Sequence, residues 1–407
     1  MLSNSMLGSL VLSLAVLPAP LPAKDEIAWI GGTYNSALIA SEASGKKVLA
    51  YCWKENDPDC VSMYDYTFQV EEVVTAMKKW ICFSVKEGTP EGDSFIKEQK
   101  VRKLPTVLFL TSKGELIDVV GGVVPPKQLV IELERILRGE NTLQELLVKA
   151  DNPKAPDYLE VNFLLSFRFR GLGDKESAEA RLAALRVADP KAQSLAGSRA
   201  HLIQVLREGA ESVNDPSFWM NWDGEALSFR GDVESWPLQR LMDWARKVQN
   251  PEGKFEAWDL LAGFQMKMDG RSAAMSSWQQ AQKTVPDHRA IQWGADLALQ
   301  IMGFDGKRTA QDKKFALRLA TQSAKLAEDL KEDSKLFQTR FKDKSHNAVI
   351  AQYLETLGFA QKYNGQHGQS LATLQRCIDL DPGNEKYTGS FELIKSGVWP
   401  PPPREKP

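Results

Sequence analysis

The chain has 407 residues, 43% of them hydrophobic and 26% charged, which is enough for two or three globular domains with substantial cores. A formal charge of −2, and no run of basic residues interleaved with aromatics, exclude a bulk electrostatic attraction to nucleic acid. The four cysteines, Cys52, Cys60, Cys82 and Cys377, are too few and too scattered to build a disulfide scaffold.

The N-terminus reads as an export signal over residues 1–23. A short apolar run, Met6 to Leu17, is followed by Pro18, Pro20 and Pro22, with Ala19 or Ala23 placed for cleavage. The run is too short for a membrane span, and no transmembrane helix is expected in the mature chain. The segment before it lacks the usual Lys or Arg, and no cysteine is placed for a lipid anchor. The expected location is the periplasm or the exterior, within the cell envelope.

Residues 24–139 carry an alternation of strand-like and helix-like segments. Lys47 to Trp53 is an apolar run of strand length, and Cys60 to Lys79 reads as a helix with Val70, Val73, Val74 and Met77 on one face. Trp80 to Val85 is a second strand, and Ser94 to Lys100 a brief helix. Thr106 to Leu110 and Leu116 to Val120 are strands separated by the turn Ser112-Lys113-Gly114, and Lys127 to Leu137 is an amphipathic helix. Strands alternating with helices imply an α/β domain whose sheet is at least partly parallel.

Two stretches here resemble the thioredoxin family. One is Val101-Arg102-Lys103-Leu104-Pro105-Thr106-Val107-Leu108-Phe109-Leu110, with a proline at the mouth of a buried strand, where its missing N–H is tolerated. The other is Val48 to Met63, VLAYCWKENDPDCVSM, which aligns without gaps on the strand, C-x-x-C and x-x-M of that family. Gly121 also falls where the family has a glycine. The resemblance covers about 110 residues. It implies a cis peptide bond before Pro105 and a loop there that faces the redox motif.

The same alignment implies that the chemistry is altered. Cys60 takes the place of the second cysteine, while Asp57 stands where the attacking cysteine would be, giving D-P-D-C. Thiol–disulfide exchange begins with a thiolate attacking sulfur, and a carboxylate cannot form that mixed disulfide. Asp57 is instead suited to cap a helix. The family's buried acid aligns with Tyr51. A bridge between Cys52 and Cys82 is conceivable on neighbouring strands, although adjacent strands fit disulfide geometry poorly and small buried thiols are common in cores.

Residues 140–396 show no strand pattern but a recurring helical one. Three windows share a register: Tyr158 to Pro190 with Leu165, Gly173, Ala178 and Leu182; Phe255 to Pro286 with Trp258, Leu261, Ala262, Ala274, Trp278 and Ala281; and Ala351 to Pro382 with Leu357, Gly358, Ser370, Leu374 and Cys377. Small residues permit close helix crossing, and each proline ends a second helix. Pro190, Pro286 and Pro382 are 96 residues apart each time, which leaves room for about two further helix pairs per interval. Ala316, Ala320 and Ala324 mark one further helix, and Ser194 to Glu208 another. The pattern resembles tetratricopeptide repeats, and the order of the two parts resembles some bacterial envelope proteins.

Within this region Trp219, Trp222, Trp236 and Trp244 lie among Asp223, Asp232 and Asp243. They read as an aromatic groove for a peptide or glycan, or as filling for a gap between irregular repeats, the second being the commoner use of tryptophan. His201, His288, His346 and His367 are isolated from metal-ligand spacing, no phosphate loop or nucleophile elbow is present, and no cofactor or metal is expected. Residues 397–407 form a proline-rich, charged tail that reads as disordered.

The resulting expectation is an α/β thioredoxin-like domain followed by an all-α tetratricopeptide-like repeat domain. Its function is expected to be non-enzymatic recognition of a polypeptide or partner protein, or assembly in the envelope. The alternative is a monothiol disulfide oxidoreductase or redox sensor using Cys60, with a place in cell redox homeostasis. A purely architectural role is the third reading.

Overall fold

The computed structural model describes residues 26–31, 33–215, 219–222, 227–231, 236–268, 270–303 and 309–397. The export segment (1–23) and all but the first residue of the tail (397–407) lie outside the described residues. The chain divides into two compact units, Met1–Leu182 and Ala183–Pro407.

The first unit is built on a five-stranded sheet of order β1-β3-β2-β4-β5: β1 (Trp29–Ile30), β2 (Val48–Trp53), β3 (Ile81–Lys86), β4 (Thr106–Leu110) and β5 (Leu116–Gly121). β3 runs parallel to β1 and β2, whereas β4 is antiparallel to both β2 and β5. The sheet is therefore mixed, with β2 and β4 as buried inner strands. That explains why residues 48–52 and 106–110 are apolar almost without alternation.

Each face of the sheet carries its own core. Leu49, Tyr51, Cys82, Val107 and Phe109 face Met63, Phe68, Val73 and Met77, together with Leu129, Leu133 and Ile136 of α5 (Pro126–Arg138). Val48, Ala50, Cys52, Phe83 and Leu108 face the opposite side. There they meet Ala37 of α1 (Tyr34–Ser44), Phe95 of α4 (Pro90–Glu98), Leu143 and Leu146 of α6 (Leu143–Ala150), and Val161 and Leu165 of α7 (Tyr158–Leu172).

Three features refine the sequence reading, two as departures from it and one, the Cys52 and Cys82 pair, as the buried free thiols that it weighed against a bridge. The expected helix from Cys60 to Lys79 is interrupted: α2 (Pro58–Ser62) runs into a π-helical turn (Met63–Thr67), and α3 (Glu71–Met77) starts afresh after an extended Val70. The break lets the Thr67 hydroxyl donate to the Val124 carbonyl at 2.6 Å and turns Phe68 into the core against Tyr51 and Trp29. Second, Cys52 and Cys82 are not cross-strand neighbours. Cys52 pairs with Val85 and Cys82 with Leu49, and the two thiols point into opposite cores, so they remain free.

Third, α6 and α7 belong to the sheet rather than to the helical array that was expected from residue 140. Asp118, fully buried in β5, accepts from the Arg135 guanidinium on α5, forms an ion pair with Arg168 on α7 at 3.2 Å, and accepts the Leu143 N–H at 3.2 Å. Glu132 completes the cluster. Burial alone would raise its pKa, but Arg168 and Arg135 hold it below the usual carboxylate value. The approach of α7 is close because Gly121 of β5 lies against Gly171, where a Cβ would overlap the Gly171 carbonyl.

α8 (Lys175–Ala188) carries the chain into the second unit. There, antiparallel helices pair as α11 (Pro251–Lys267) with α12 (Arg271–Ala281), α13 (Asp287–Met302) with α14 (Ala310–Asp329), and α16 (His346–Tyr363) with α17 (His367–Leu380). The small residues sit at the crossings. A Cβ on Gly358 would press on Leu374 at 2.9 Å, and the Ser370 hydroxyl donates to the Gly358 carbonyl at 2.7 Å. Each 96-residue interval holds less than two further pairs among the described residues. The first contains α9 (Leu195–Ser212), a β-hairpin and α10 (Leu238–Lys247), and the second contains α13, α14 and the short α15 (Lys335–Arg340). The hairpin, β6 (Trp219–Trp222) paired with β7 (Leu227–Arg230), corrects the expectation of no strand in this region.

Candidate functional site

The candidate site lies at one end of the first unit's sheet, and register fixes its parts. Thr106 at the start of β4 pairs with Cys52 near the end of β2 and with Gly121 at the end of β5. The turn after β2, the loop before β4 and the turn after β5 therefore emerge at the same end.

In the first of these, Asp57 is the N-cap of α2. Its carboxylate accepts the Cys60 N–H at 2.9 Å, and Pro58 occupies the first helical position, where its missing N–H costs nothing. Cys60 is 3% exposed, with its sulfur accepting the Lys54 N–H at 3.4 Å. Tyr51 lies beneath it, and the phenol donates to the Cys60 carbonyl at 3.1 Å. Burial raises the pKa of the Cys60 thiol to about 11. The Lys54 N–H works against this, while the hydrogen bond and negative charge of Asp57, and the charge of Asp59, add to it. Burial likewise pushes up the Tyr51 phenol, with Cys60 and Asp57 adding to the effect.

In the second part, the Leu104–Pro105 peptide bond is cis. The Pro105 carbonyl accepts the Gly122 N–H at 2.8 Å, and the Thr106 hydroxyl donates to the Lys103 carbonyl at 2.7 Å. The end of α7 buttresses the loop from behind. Arg102 N–H donates to the Leu172 carbonyl at 2.7 Å, and Thr106 also reaches the Gly171 carbonyl at 3.2 Å. Gly173, at φ +78°, admits this contact, since a Cβ there would stand 2.8 Å from the Arg102 carbonyl carbon. Leu104 keeps both backbone groups open: among the described residues neither its N–H nor its carbonyl has a hydrogen-bond partner.

Register and charge bring Cys60, Asp57 and Pro105 to the same end of the sheet, and the charge of Asp59 on α2 is felt at Lys103 beside Pro105. Of the other thiols, Cys52 and Cys82 lie inside the sheet cores of the first unit, and Cys377 is buried in α17 of the second. Burial raises the Cys82 and Cys377 thiols to about 12 each.

In the second unit, Trp236 donates to Asp215 at 2.9 Å and packs edge-on against Phe264, while Trp244 stacks on His201 at 5.1 Å. These two tryptophans fill the packing around α9, α10 and α11. The side chains of Trp219 and Trp222, and Asp223 and Asp232 altogether, lie outside the described residues. Asp243 is an exposed partner of Arg246 at 3.5 Å. Among the described residues no group of three His, Cys, Asp or Glu side chains is gathered as metal ligands, and no helix is long and apolar enough to cross a membrane.

Residues 34–137 match the family model of a thioredoxin-like domain. The chain thus carries a thioredoxin-like domain followed by a largely helical region. Among solved structures it is similar to a thioredoxin from Thermus thermophilus, with 25% identity and a TM-score of 0.26, over 28% of this chain and 88% of that one. It is also similar to the C-terminal domain of DsbD from Neisseria meningitidis in the oxidised form, with 23% identity and a TM-score of 0.23, over 25% of this chain and 89% of that one. No curated protein gives a significant match.

Sequence reasoning missed Arg168 and Gly171 on α7. A signal for the first was present: Asp118 stands in the middle of an otherwise apolar strand, and a carboxylate buried there requires a cationic partner from another element.

Proposed function

We propose that this is an exported protein that binds polypeptide at the cis-proline end of its thioredoxin-like domain and does not catalyse dithiol–disulfide exchange. The observation that carries the reading is the contrast at Leu104 and Cys60. A backbone N–H and carbonyl stand open on a rigid loop, suited to pair with an extended segment as an added strand does. Beside them the one thiol is held protonated, and a helix cap stands where a nucleophile would be required. Val61, Tyr64 and Tyr66, exposed on the helix that follows Cys60, add apolar surface of the kind a polypeptide covers.

Export rests on the apolar run Met6 to Leu17 and its flanking prolines. The helical region fits a role in holding a partner or in envelope assembly, as stacked helix pairs present extended surfaces. The monothiol alternative needs a thiolate at neutral pH, and the burial of Cys60 with two carboxylates close by weighs against it.

Hydrogen exchange tests the reading. With reduced, carbamidomethylated α-lactalbumin as an unfolded probe, exchange at Leu104 should slow in the full chain. Unchanged exchange there at saturating probe would refute polypeptide binding at this loop.

A further inference from the structure

The binding reading leaves open which polypeptides are taken, and the cations around the loop bear on that. Lys103 immediately precedes Leu104. Its ammonium lies 3.5 Å from the point a Cβ on Gly122 would occupy, so it sits between the cis-proline loop and the turn after β5. Other cations at this end of the sheet are paired: Lys54 with Glu87 at 3.0 Å, Lys86 with Glu55 at 2.7 Å, and Arg102 with Asp174 at 3.5 Å. Among the described residues Lys103 has neither a carboxylate within ion-pair distance nor a hydrogen-bond acceptor for its ammonium, and the same holds for Lys175.

Lys103 is also half-buried. Burial lowers its pKa, and Arg170 and Lys175 lower it further against the opposing pull of Asp59. A half-buried ammonium with no ion-pair partner of its own among the described residues is favoured by an arriving anion. Such an anion would come from the bound segment itself. Side chains of an extended strand alternate, so a residue flanking the one paired to Leu104 projects toward its neighbour Lys103.

Resting on the polypeptide-binding reading, we propose that Lys103 selects segments carrying an Asp or Glu side chain next to the residue that pairs with Leu104. The site thereby distinguishes acidic from neutral and basic polypeptides, with charge complementarity as the means.

The test uses the full chain bearing Asp57→Cys and Cys60→Ala. The introduced thiolate attacks a peptide presented as its mixed disulfide with nitrothiobenzoate; the peptide–protein disulfide forms and nitrothiobenzoate leaves, which is read by absorbance. Three probes are compared: a short peptide with Glu on either side of its cysteine, the same peptide with Gln, and the nitrothiobenzoate disulfide of cysteine alone. The Glu peptide should react about tenfold faster than the Gln peptide at low ionic strength, and high salt should erase the difference. Lys103→Gln should bring the ratio of the Glu-peptide rate to the Gln-peptide rate to about one, and Lys103→Arg should keep the preference.

Equal rates for the two peptides, both above cysteine alone, would overturn the acidic site and leave polypeptide binding standing. Peptide rates no greater than that of cysteine alone would overturn both. A Glu preference that survives Lys103→Gln would overturn the assignment to this residue.

Discussion

The turn at Lys54–Cys60 and the loop at Arg102–Pro105 share one end of the sheet, yet they have been treated differently. The turn starts a short helix with the Asp57 carboxylate as its cap and buries Cys60 within it. The loop keeps its cis bond and open Leu104 backbone groups, and a helix from beyond the matched family region braces it. On the proposed reading, reactivity and recognition are separable. The first depends on the identity of one or two atoms, and the second on backbone geometry that many contacts maintain.

The comparison breaks most readily at the brace. Asp118→Ala would leave Arg135, Arg168 and the Leu143 N–H without their shared acceptor in a buried setting, a loss of about 3–5 kcal/mol. Hydrogen exchange in β5 and α7 should accelerate accordingly, while the same substitution should leave the second unit's helix pairs protected. Retained protection in α7 would show that the ion cluster does not hold it.

The next largest effect sharpens the chemical side. Cys60, with a pKa near 11, carries about 1 thiolate in 10,000 at pH 7, against a few per cent for an ordinary thiol. Its alkylation by iodoacetamide should climb about tenfold per pH unit from pH 7 to pH 10. The raised value also sets a linkage. The folded state holds the thiol proton more tightly than the unfolded chain, so this contribution to stability is complete below the unfolded pKa and declines as pH rises toward 11. A rate that levels off near pH 8 would contradict the environment described for Cys60.

Asp57→Ala acts on both properties at once. Loss of the cap should destabilise by about 1 kcal/mol. Removal of the adjoining charge should lower the Cys60 pKa and quicken its alkylation at neutral pH. Slower alkylation would reverse the assigned role of Asp57. The smallest expected change is Tyr51→Phe, which gives up one hydrogen bond to the Cys60 carbonyl, at about 1 kcal/mol or less by denaturant titration.

Much of this arrangement was legible in the sequence. Apolar runs of strand length gave four of the five strands of the first sheet, because strands buried on both faces cannot alternate. The D-P-D-C spacing and Pro105 drew attention to the two segments that meet at one end of the sheet. Two kinds of information were hidden. Local pattern does not reveal which partner an amphipathic helix chooses: α7 carries the small residues of a repeat, yet Gly121 and Asp118 draw it to the sheet. Pattern also missed the interruption at Thr67–Val70, where one side chain-to-backbone bond and the burial of Phe68 override helical periodicity. The hairpin at 219–230 was concealed by tryptophans that read equally well as helix-packing residues.

Insulin reduction in the presence of dithiothreitol tests the central claim most directly, with the purified full chain as the added component. The account predicts precipitation of the insulin B chain no faster than with dithiothreitol alone, and a gain of activity on Asp57→Cys. Acceleration by the unaltered chain that is abolished by Cys60→Ala would contradict it.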